Sequence, residues 1–299
     1  MKSRNNQAVK KICKQAGMTL IELTVVLMIL IGLAGLLVPY VSGFVGRTHD
    51  SSGADAIQEV TKAISGYDAK YGGLPGNLDR LVDSNGAVVP YLMNSGVATA
   101  TAVSTTNTVS LFRAGITQLK GVCDIATDAA CTNFNPTFNY YKAANDWAIS
   151  MNGNISIGGA AAAAPGATDT ILTVAPNATA DVNNNVEDIC GITNAAVDAN
   201  TDGTNDYIYV MLGVGPSSDI TGRTVQSAPV HFAQVGAMNA NNRYNRFLGI
   251  FKVDNDPAVG PGPGGIENAT LVCSVMSMSR IEGPQQALER YYDRQANEG

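Results

Sequence analysis

Residues 17–39 read GMTLIELTVVLMILIGLAGLLVP, and this stretch decides how the chain is built. Within it, residues 19–38 carry one ionisable side chain, that of Glu22, near the start. About 20 consecutive apolar residues are enough for a helix to cross a bilayer. An acid inside such a span is costly to insert and is by default functional. The stretch therefore predicts a transmembrane helix with one functional acid.

A basic leader precedes the apolar segment. Residues 1–17 contain no acid, and their basic residues are Lys2, Arg4, Lys10, Lys11 and Lys14. Because basic flanks stay on the cytoplasmic side, we expect the leader to face inward and the rest of the chain outward. An ordinary secretory signal loses its apolar core on cleavage. Here the expected cut follows Gly17, before the apolar run, so the mature chain would keep its membrane segment.

The order Gly-Met-Thr-Leu-Ile-Glu-Leu resembles the N-terminal motif of type IV prepilins and of the pseudopilins of type II secretion. In this chain it occupies residues 17–23, with Glu22 the fifth residue after the expected cut and Pro39 the twenty-second, which is the family spacing. There are two departures. Met18 stands where Phe is usual, and Gly32 lies one position later than a glycine that is common in the family. The resemblance is specific around this motif and absent from most of the chain.

The resemblance implies a pathway of processing and assembly. A prepilin peptidase that is also a methyltransferase would cut after Gly17 and methylate Met18. Glu22 would then pair with the free amine of Met18 on a neighbouring subunit; the alternative is a tolerated acid at the edge of an ordinary anchor. The other implied partners are further copies of the chain in a helical homopolymer, an inner-membrane assembly platform and other minor pilins. The protein would lie in the inner membrane before assembly and in an extracellular pilus, or a periplasmic pseudopilus, afterwards.

The helix is expected to continue beyond the membrane as an amphipathic segment. Apolar residues recur there at spacings of 3, 4, 3 and 4, which is the period of a helix that packs on one face: Ile57, Val60, Ile64, Tyr67 and Tyr71. We therefore expect one long helix over residues 18–72, with a kink near Pro39 because proline removes a backbone donor. The Gly-rich sequence after Tyr71 is expected to end it.

The rest of the chain, residues 73–299, predicts a β-rich head domain. Short β-branched and aromatic runs bounded by turn residues give four candidate strands: Tyr207–Leu212, Val230–Val235, Phe247–Val253 and Leu271–Met278. Residues 97–110, rich in Thr and Ser, predict an edge strand or a glycosylated loop, and a short helix should follow Pro284. The expected fold class is α+β and pilin-like, with a long N-terminal helix packed on an antiparallel sheet.

The cysteines predict disulfide bonds. Cys13 lies in the leader, and four cysteines remain after cleavage: Cys123, Cys131, Cys190 and Cys273. An even number of cysteines in an exported chain is typical of disulfides, and four cysteines allow three pairings. The arrangement we favour pairs Cys123 with Cys131 and Cys190 with Cys273, since the second bond would resemble the C-terminal disulfide loop of many pilins.

One loop has the residue pattern of a cation site. Residues 198–206 read DANTDGTND, and D-x-N-x-D-G matches the first half of an EF-hand calcium loop. The candidate ligands are Asp198, Asn200, Asp202, Thr204 and Asp206. Position twelve would be Tyr209, which has no carboxylate, so a complete EF-hand is excluded. Calcium bound by this partial loop is one interpretation; the other is an Asx turn that needs no metal.

The net charge and the absence of catalytic motifs disfavour two classes of function, nucleic-acid binding and catalysis. Loss of the leader removes five of the 19 basic residues and none of the 25 acids, which leaves 14 minus 25, or −11. An acidic head disfavours nucleic-acid binding, because phosphate contacts need a basic surface. No signature of a hydrolase, phosphate-binding loop or zinc protease occurs, so no enzymatic activity is expected.

We expect a structural subunit of a type IV pilus-like filament. The alternatives are a pseudopilin of a type II secretion system and a membrane-anchored binding protein that does not polymerise.

Overall fold

The computed structural model describes residues 20–82, 98–120, 154–156, 170–177, 185–230, 246–256, 265–277 and 281–297. Its helices are α1 (Leu20–Tyr71), α2 (Thr105–Arg113), α3 (Val186–Cys190) and α4 (Pro284–Asn297). Its strands are β1 (Leu78–Asp79), β2 (Ala98–Ala102), β3 (Gln118–Lys120), β4 (Asn154–Ser156), β5 (Thr170–Val174), β6 (Tyr207–Gly213), β7 (Phe247–Asp254), β8 (Thr270–Ser277) and β9 (Ile281–Glu282). The leader, with Gly17, and Met18 lie outside the described residues.

The N-terminal half of α1 is an exposed apolar arm. The helix has 52 residues and is therefore about 78 Å long at a rise of about 1.5 Å per residue. Every residue of Leu20–Val38 is exposed, and this segment, which we call the apolar arm, has a mean hydropathy of 2.6 over 19 residues. It is long and apolar enough to cross a membrane. The helix runs without interruption through Pro39.

The C-terminal half of α1 packs on the sheet through one face. Ile57, Val60, Ile64 and Tyr67 are all buried, which confirms four positions of the predicted stripe. The fifth position was wrong, because Tyr71 is 46% exposed. The helix ends at Tyr71, beyond the last turn that faces the sheet, and its ring instead stacks on that of Tyr67 with 4.5 Å between centroids.

The nine described strands form one mainly antiparallel sheet beside this helix. The strand order is β4-β3-β1-β6-β7-β8-β9, with β5 on another part of β6 and β2 on β5. All pairs are antiparallel except β1 with β3. The longest pairing joins β6 to β7, from Tyr207 opposite Asp254 to Gly213 opposite Leu248. The chain is therefore α+β, with an N-terminal apolar helix and an antiparallel sheet.

Strand residues alternate between two apolar cores, as the period of two in a β-strand requires. Val210 and Leu212 of β6 join Phe251 of β7 in the core beneath α1. Tyr209 and Met211 point the other way, into a second core that contains Cys273 and the residues of α3. The sheet is thus buried on both faces, by α1 on one side and by α3 with its neighbouring segments on the other.

The structure confirms three of the four predicted strands, as β6, β7 and β8. Of Val230–Val235, only Val230 is described, and it forms an isolated bridge with Arg246. Residues 97–110 divide into two elements that the sequence did not separate. Residues 98–102 form β2, which pairs only with β5 among the described strands, while α2 begins at Thr105. The predicted C-terminal helix is α4.

Glycines allow the chain to leave α1 and enter the head. Gly72 has a φ of 75°, the left-handed conformation that commonly ends helices. Gly115, with a φ of 102°, packs so closely on this exit that an added Cβ would lie 2.9 Å from the backbone nitrogen of Leu74. The N–H of Leu74 donates to the carbonyl of Ala114 at 2.6 Å. These contacts fix the direction in which α1 meets the sheet.

Candidate assembly and ligand sites

The apolar arm is the first candidate site, because it is a large apolar surface without cover from the head. Its side chains include Leu20 at 81% exposure and Met28 at 75%. Soluble monomers rarely expose a contiguous apolar surface of this extent, so such a surface marks contact with a membrane or a protein. Thr24 does not interrupt it, since its hydroxyl donates to the carbonyl of Ile21 at 2.9 Å.

The structure places the predicted assembly residues along this arm. Glu22 lies in the first turn of α1, where the positive end of the helix dipole favours an acid. Pro39 follows directly after Val38, the last residue of the arm. Gly17 and Met18, at the expected cleavage site, lie outside the described residues. The acid and the proline therefore mark the two ends of the exposed segment.

The second site is the disulfide between α3 and β8. Cys190 is bonded to Cys273 across a sequence separation of 83 residues, with 5.7 Å between their Cα atoms. This is the pairing that we favoured from the sequence. Asn185 caps the start of α3 by accepting the N–H of Asp188, and Gly191 ends the helix with a φ of 67°. Cys123 and Cys131 lie outside the described residues.

In the predicted cation loop, the acidic side chains accept hydrogen bonds from the loop's own backbone. Oδ1 of Asp198 accepts the N–H of Asp202 at 3.1 Å, and its Oδ2 accepts that of Gly203 at 2.8 Å. Oδ1 of Asp202 in turn accepts the N–H of Thr204 at 2.7 Å. These are the bonds of successive Asx turns, which close the loop without an ion.

The loop is also tied to the end of β7, which the sequence could not show. Asp206 is 2% exposed, and its carboxylate accepts the N–H of Ala199 at 3.2 Å. Its carbonyl accepts the N–H of Asn255 at 2.8 Å. Nδ2 of Asn200 donates to Oδ2 of Asp256 at 2.6 Å. Asp256 is thus brought to the predicted ligands by the fold, although it lies about 50 residues away in sequence.

These contacts can be compared with the two interpretations of the loop, a calcium site and an Asx turn that needs no metal. Within the described ranges, no group of three or more His, Cys, Asp or Glu side chains could hold a metal ion. The backbone hydrogen bonds fit the Asx-turn interpretation. Carboxylate oxygens have several lone pairs and can accept N–H groups while they bind an ion, so calcium remains a prediction to be tested in solution.

A polar cluster that the sequence did not reveal lies beside this loop. The hydroxyl of Tyr207 donates to Oε2 of Glu267 at 3.1 Å, and Nζ of Lys252 lies 3.5 Å from the centre of the Tyr207 ring. Burial, assisted by the bond to Glu267, raises the pKa of Tyr207 to about 12. Burial also raises the pKa of Asp254, whose Oδ2 accepts the N–H of Glu267 at 2.6 Å. The cluster joins the ends of β6 and β7 to the segment before β8.

Two of the cavities on the described surface differ in the chemistry of their lining. One, of about 540 Å³, lies between α1 and the loop that precedes Val230, and is lined mainly by small and aliphatic side chains such as Ala63 and Val225. The other, of about 350 Å³, lies between α3 and α4 and is lined by polar side chains such as Glu187 and Gln286. The charged residues that line the first cavity, Glu59 and Lys62, pair with each other at 2.7 Å.

Comparison of the chain with models of protein families, with curated proteins and with solved structures gives no match. The class of protein is therefore defined by its own geometry: an α+β head on a long helix whose N-terminal half is apolar and exposed. That helix is the feature from which a function can be argued.

Proposed function

We propose that this protein is a structural subunit of a type IV pilus-like filament. It would be inserted in the inner membrane as a prepilin, cut after Gly17, methylated at Met18 and polymerised through α1. The observation that carries the proposal is the division of α1 into two halves, one exposed and apolar and one buried on the head.

The exposed half of α1, the apolar arm, fits a segment that lies first in a bilayer and later among the arms of neighbouring copies. Full burial of one aliphatic side chain is worth about 1.5 to 3 kcal/mol, so exposing the whole arm to water would be strongly unfavourable. A bilayer would bury the apolar side chains of the arm first, because the length of the arm matches the thickness of the hydrocarbon core. The arms of neighbouring copies would bury the same side chains later, in a bundle of helices with the heads outside.

Glu22 gives such a bundle its register. An acid in a membrane-spanning helix is unfavourable by up to about 2.5 to 3.5 kcal/mol, with the larger values near the centre of the bilayer. Pairing with the N-terminal amine of Met18 on a neighbouring subunit would offset this penalty only when the copies are correctly aligned. This role is carried over from the prepilin resemblance and is consistent with the place of Glu22 in the first turn of α1.

The proposal is tested by Glu22→Ala in cells that produce the full chain. The variant should insert into the membrane normally, because a polar group has been removed from the span. It should yield few sheared extracellular fibres, because the partner of the neighbour's amine is lost. The matched control is Glu59→Ala on the same helix, where an exposed acid pairs with Lys62 at 2.7 Å outside the membrane. Fibres from the control should be normal.

Two results would count against the proposal. Normal fibre yield from Glu22→Ala would favour the membrane-anchored binding protein that does not polymerise. Mass spectrometry of assembled material should show a chain that begins at methylated Met18; a chain that still begins at Met1 would show that the expected processing does not occur.

A pseudopilin of type II secretion is the second candidate. It is favoured by the Tyr-Gly-Gly-Leu-Pro exit from α1, at residues 71–75, which resembles the corresponding exit in pseudopilins. The location of the assembled protein separates the two candidates. A pilus subunit should be released into the medium by shearing, whereas a pseudopilin should stay with the cells and its deletion should block export of other proteins.

A further inference from the structure

The cavity beside α1 is a groove that runs along the helix. Its helical wall extends from Ala56 through Ala63 to Gly66, which is close to three turns, or about 15 Å. Its other wall is the loop that carries Val225 and Pro229. We call this cavity the α1 groove. A cavity of about 150 Å³ accepts a benzene molecule, so the α1 groove, with about 540 Å³, has room for several side chains.

The loop wall of the α1 groove is held in place by hydrogen bonds. The N–H of Val225 donates to the carbonyl of Ile220 at 3.1 Å, and the carbonyl of Val225 accepts the N–H of Gly222 at 2.7 Å. At one end of the groove, Nη1 of Arg223 donates to the hydroxyl of Tyr67 at 2.8 Å. The loop is thus fastened to α1, and the groove is formed before any occupant enters it.

The lining of the α1 groove suits an apolar and uncharged occupant. Its small residues on α1, among them Ala63 and Gly66, allow another helix to approach closely. Glu59 and Lys62 are exposed and pair with each other, so they border the groove and add no net charge. The control variant Glu59→Ala therefore leaves the apolar lining unchanged. An apolar concavity with a polar rim is typical of a docking surface.

The chain itself carries a segment of matching chemistry, which is the apolar arm. Apart from Glu22, residues 20–38 have no charged side chain, and all of them are exposed. In the proposed assembly the arm leaves the bilayer, and protein must then cover it. The arm of the same copy cannot enter the groove, because both belong to one uninterrupted helix. The occupant must therefore come from a second copy.

We propose that the α1 groove receives the apolar arm of a second copy of the chain. The inference rests on the proposed function, because it requires copies that leave the same membrane with their helices parallel. Eighteen residues separate Val38 from Ala56, and 46 separate Leu20 from Gly66. Parallel copies in this contact are therefore staggered along their helices by about 27 to 69 Å. Because the copies are displaced along the helix axis, the contact does not close into a ring and yields an open filament.

The stagger also gives the arm a way to leave lipid without full exposure to water. The hydrocarbon core of a bilayer is about 30 Å thick. A stagger near the middle of the range lifts one arm out of the core while the arm of the second copy remains inside. The groove of that second copy lies beyond the membrane, since it begins 18 residues after Val38. It then covers part of the lifted arm.

The test uses the full chain assembled into fibres by cells. The photoreactive amino acid p-benzoylphenylalanine replaces Lys62 at the rim of the groove. The matched control carries it in place of Gln58, which is exposed on the same helix and is not part of the lining. Sheared fibres are irradiated, and the cross-linked peptides are identified by mass spectrometry. Position 62 should cross-link to residues 20–38 of another copy, whereas position 58 should not.

A second variant fills the groove. Ala63→Phe should reduce the yield of fibres, because Ala63 is only half-buried and a larger side chain there would occupy the space of the arm. Gln58→Phe should give the parental yield. Melting of each variant before assembly shows whether the head is intact. If Ala63→Phe does not fold, the cross-linking result decides.

Three results would overturn the inference. Cross-links from position 62 that stay within one copy, or that reach only the head of a second copy, would show that another segment occupies the groove. Equal cross-linking to residues 20–38 from positions 58 and 62 would show that the arm does not lie in the groove. Normal fibres from a folded Ala63→Phe would show that assembly does not use it. In all three cases fibres of the parent would leave the proposed function standing. A parent that forms no fibres would overturn both.

Discussion

Removal of the Cys190–Cys273 bond should weaken the head by several kcal/mol. The bond fastens α3 to β8, and both of its ends lie in or beside the second core. The proposed change is Cys190→Ala together with Cys273→Ala. Alanine is preferred to serine because Cys273 is buried, and a serine hydroxyl there would need a hydrogen-bond partner.

The magnitude follows from the length of chain that the bond closes. In the chain-entropy account, a cross-link lowers the entropy of the unfolded state by about 2.1 + 1.5R ln n cal/mol/K. With a separation of 83 residues, this is about 15 cal/mol/K, or about 4.5 kcal/mol at 25 °C. Loss of native disulfides typically costs about 2 to 5 kcal/mol. With a slope of about 3 kcal/mol/M, the urea midpoint should fall by about 1 to 1.5 M.

The assay is urea unfolding of the full chain in detergent, followed by near-ultraviolet circular dichroism of the head. Single variants at Cys190 or Cys273 should lose as much stability as the double variant, because either change removes the whole bond. A reducing agent should lower the midpoint of the parent by at least as much. Equal midpoints for the parent and the double variant would refute the reasoning, since the bond would then not constrain the unfolded chain.

Three further predictions concern the head. Ile64→Ala should lower the free energy of unfolding by about 2 to 5 kcal/mol, because Ile64 is fully buried, whereas Tyr71→Ala should lower it far less. Burial raises the pKa of Asp254, so the parent should lose stability as pH rises from about 4 through the raised pKa, and Asp254→Asn should remove that loss. Calcium at a hundredfold excess over its dissociation constant should stabilise the head by about 2.7 kcal/mol, and Asp198→Ala with Asp202→Ala should abolish the effect.

Each of these has a result that would contradict it. Equal losses from the two α1 variants would show that the sheet does not contact Ile64 more than Tyr71. A constant difference in stability between Asp254→Asn and the parent from pH 4 to 8 would show that this carboxyl does not titrate differently on unfolding. Identical melting in millimolar calcium and in chelator would leave the loop at 198–206 as Asx turns closed by their own hydrogen bonds.

The parts of the fold that the sequence predicted are those set by local patterns. The buried stripe of α1 follows from a period of 3.6, and β6 and β7 follow from β-branched runs that end at turn residues. The error at Tyr71 has a related cause. A periodic pattern tells which residues share a face, but it does not tell where the partner surface ends.

The elements that escaped prediction depend on contacts between distant residues. The sequence of α2, TTNTVSLFR, is rich in poor helix formers. It is helical because Ser104 and Asn107 form a capping box, and because Nδ2 of Asn107 donates to the carbonyl of Asp254 at 2.8 Å. The strands β1 and β3 have only two and three residues, which is too short for any period to be seen. The packing of α4 on α1 likewise has no local signature.

The two halves of α1 have different surroundings: one is buried on the head and the other is exposed. Substitutions in the two halves should therefore affect different properties, the stability of the head in one case and the proposed assembly in the other. The buried half, near Ile64, is part of the core of the head, so a change there alters the stability of the head wherever the arm lies. The arm makes no buried contact, so a change at Glu22 leaves the core intact and alters only what the arm binds. Forty-two residues separate the two positions, or about 63 Å of helix. Effects of changes this far apart should add. In the proposed assembly, a folded head would therefore exchange lipid for neighbouring arms around its helix without rebuilding its core.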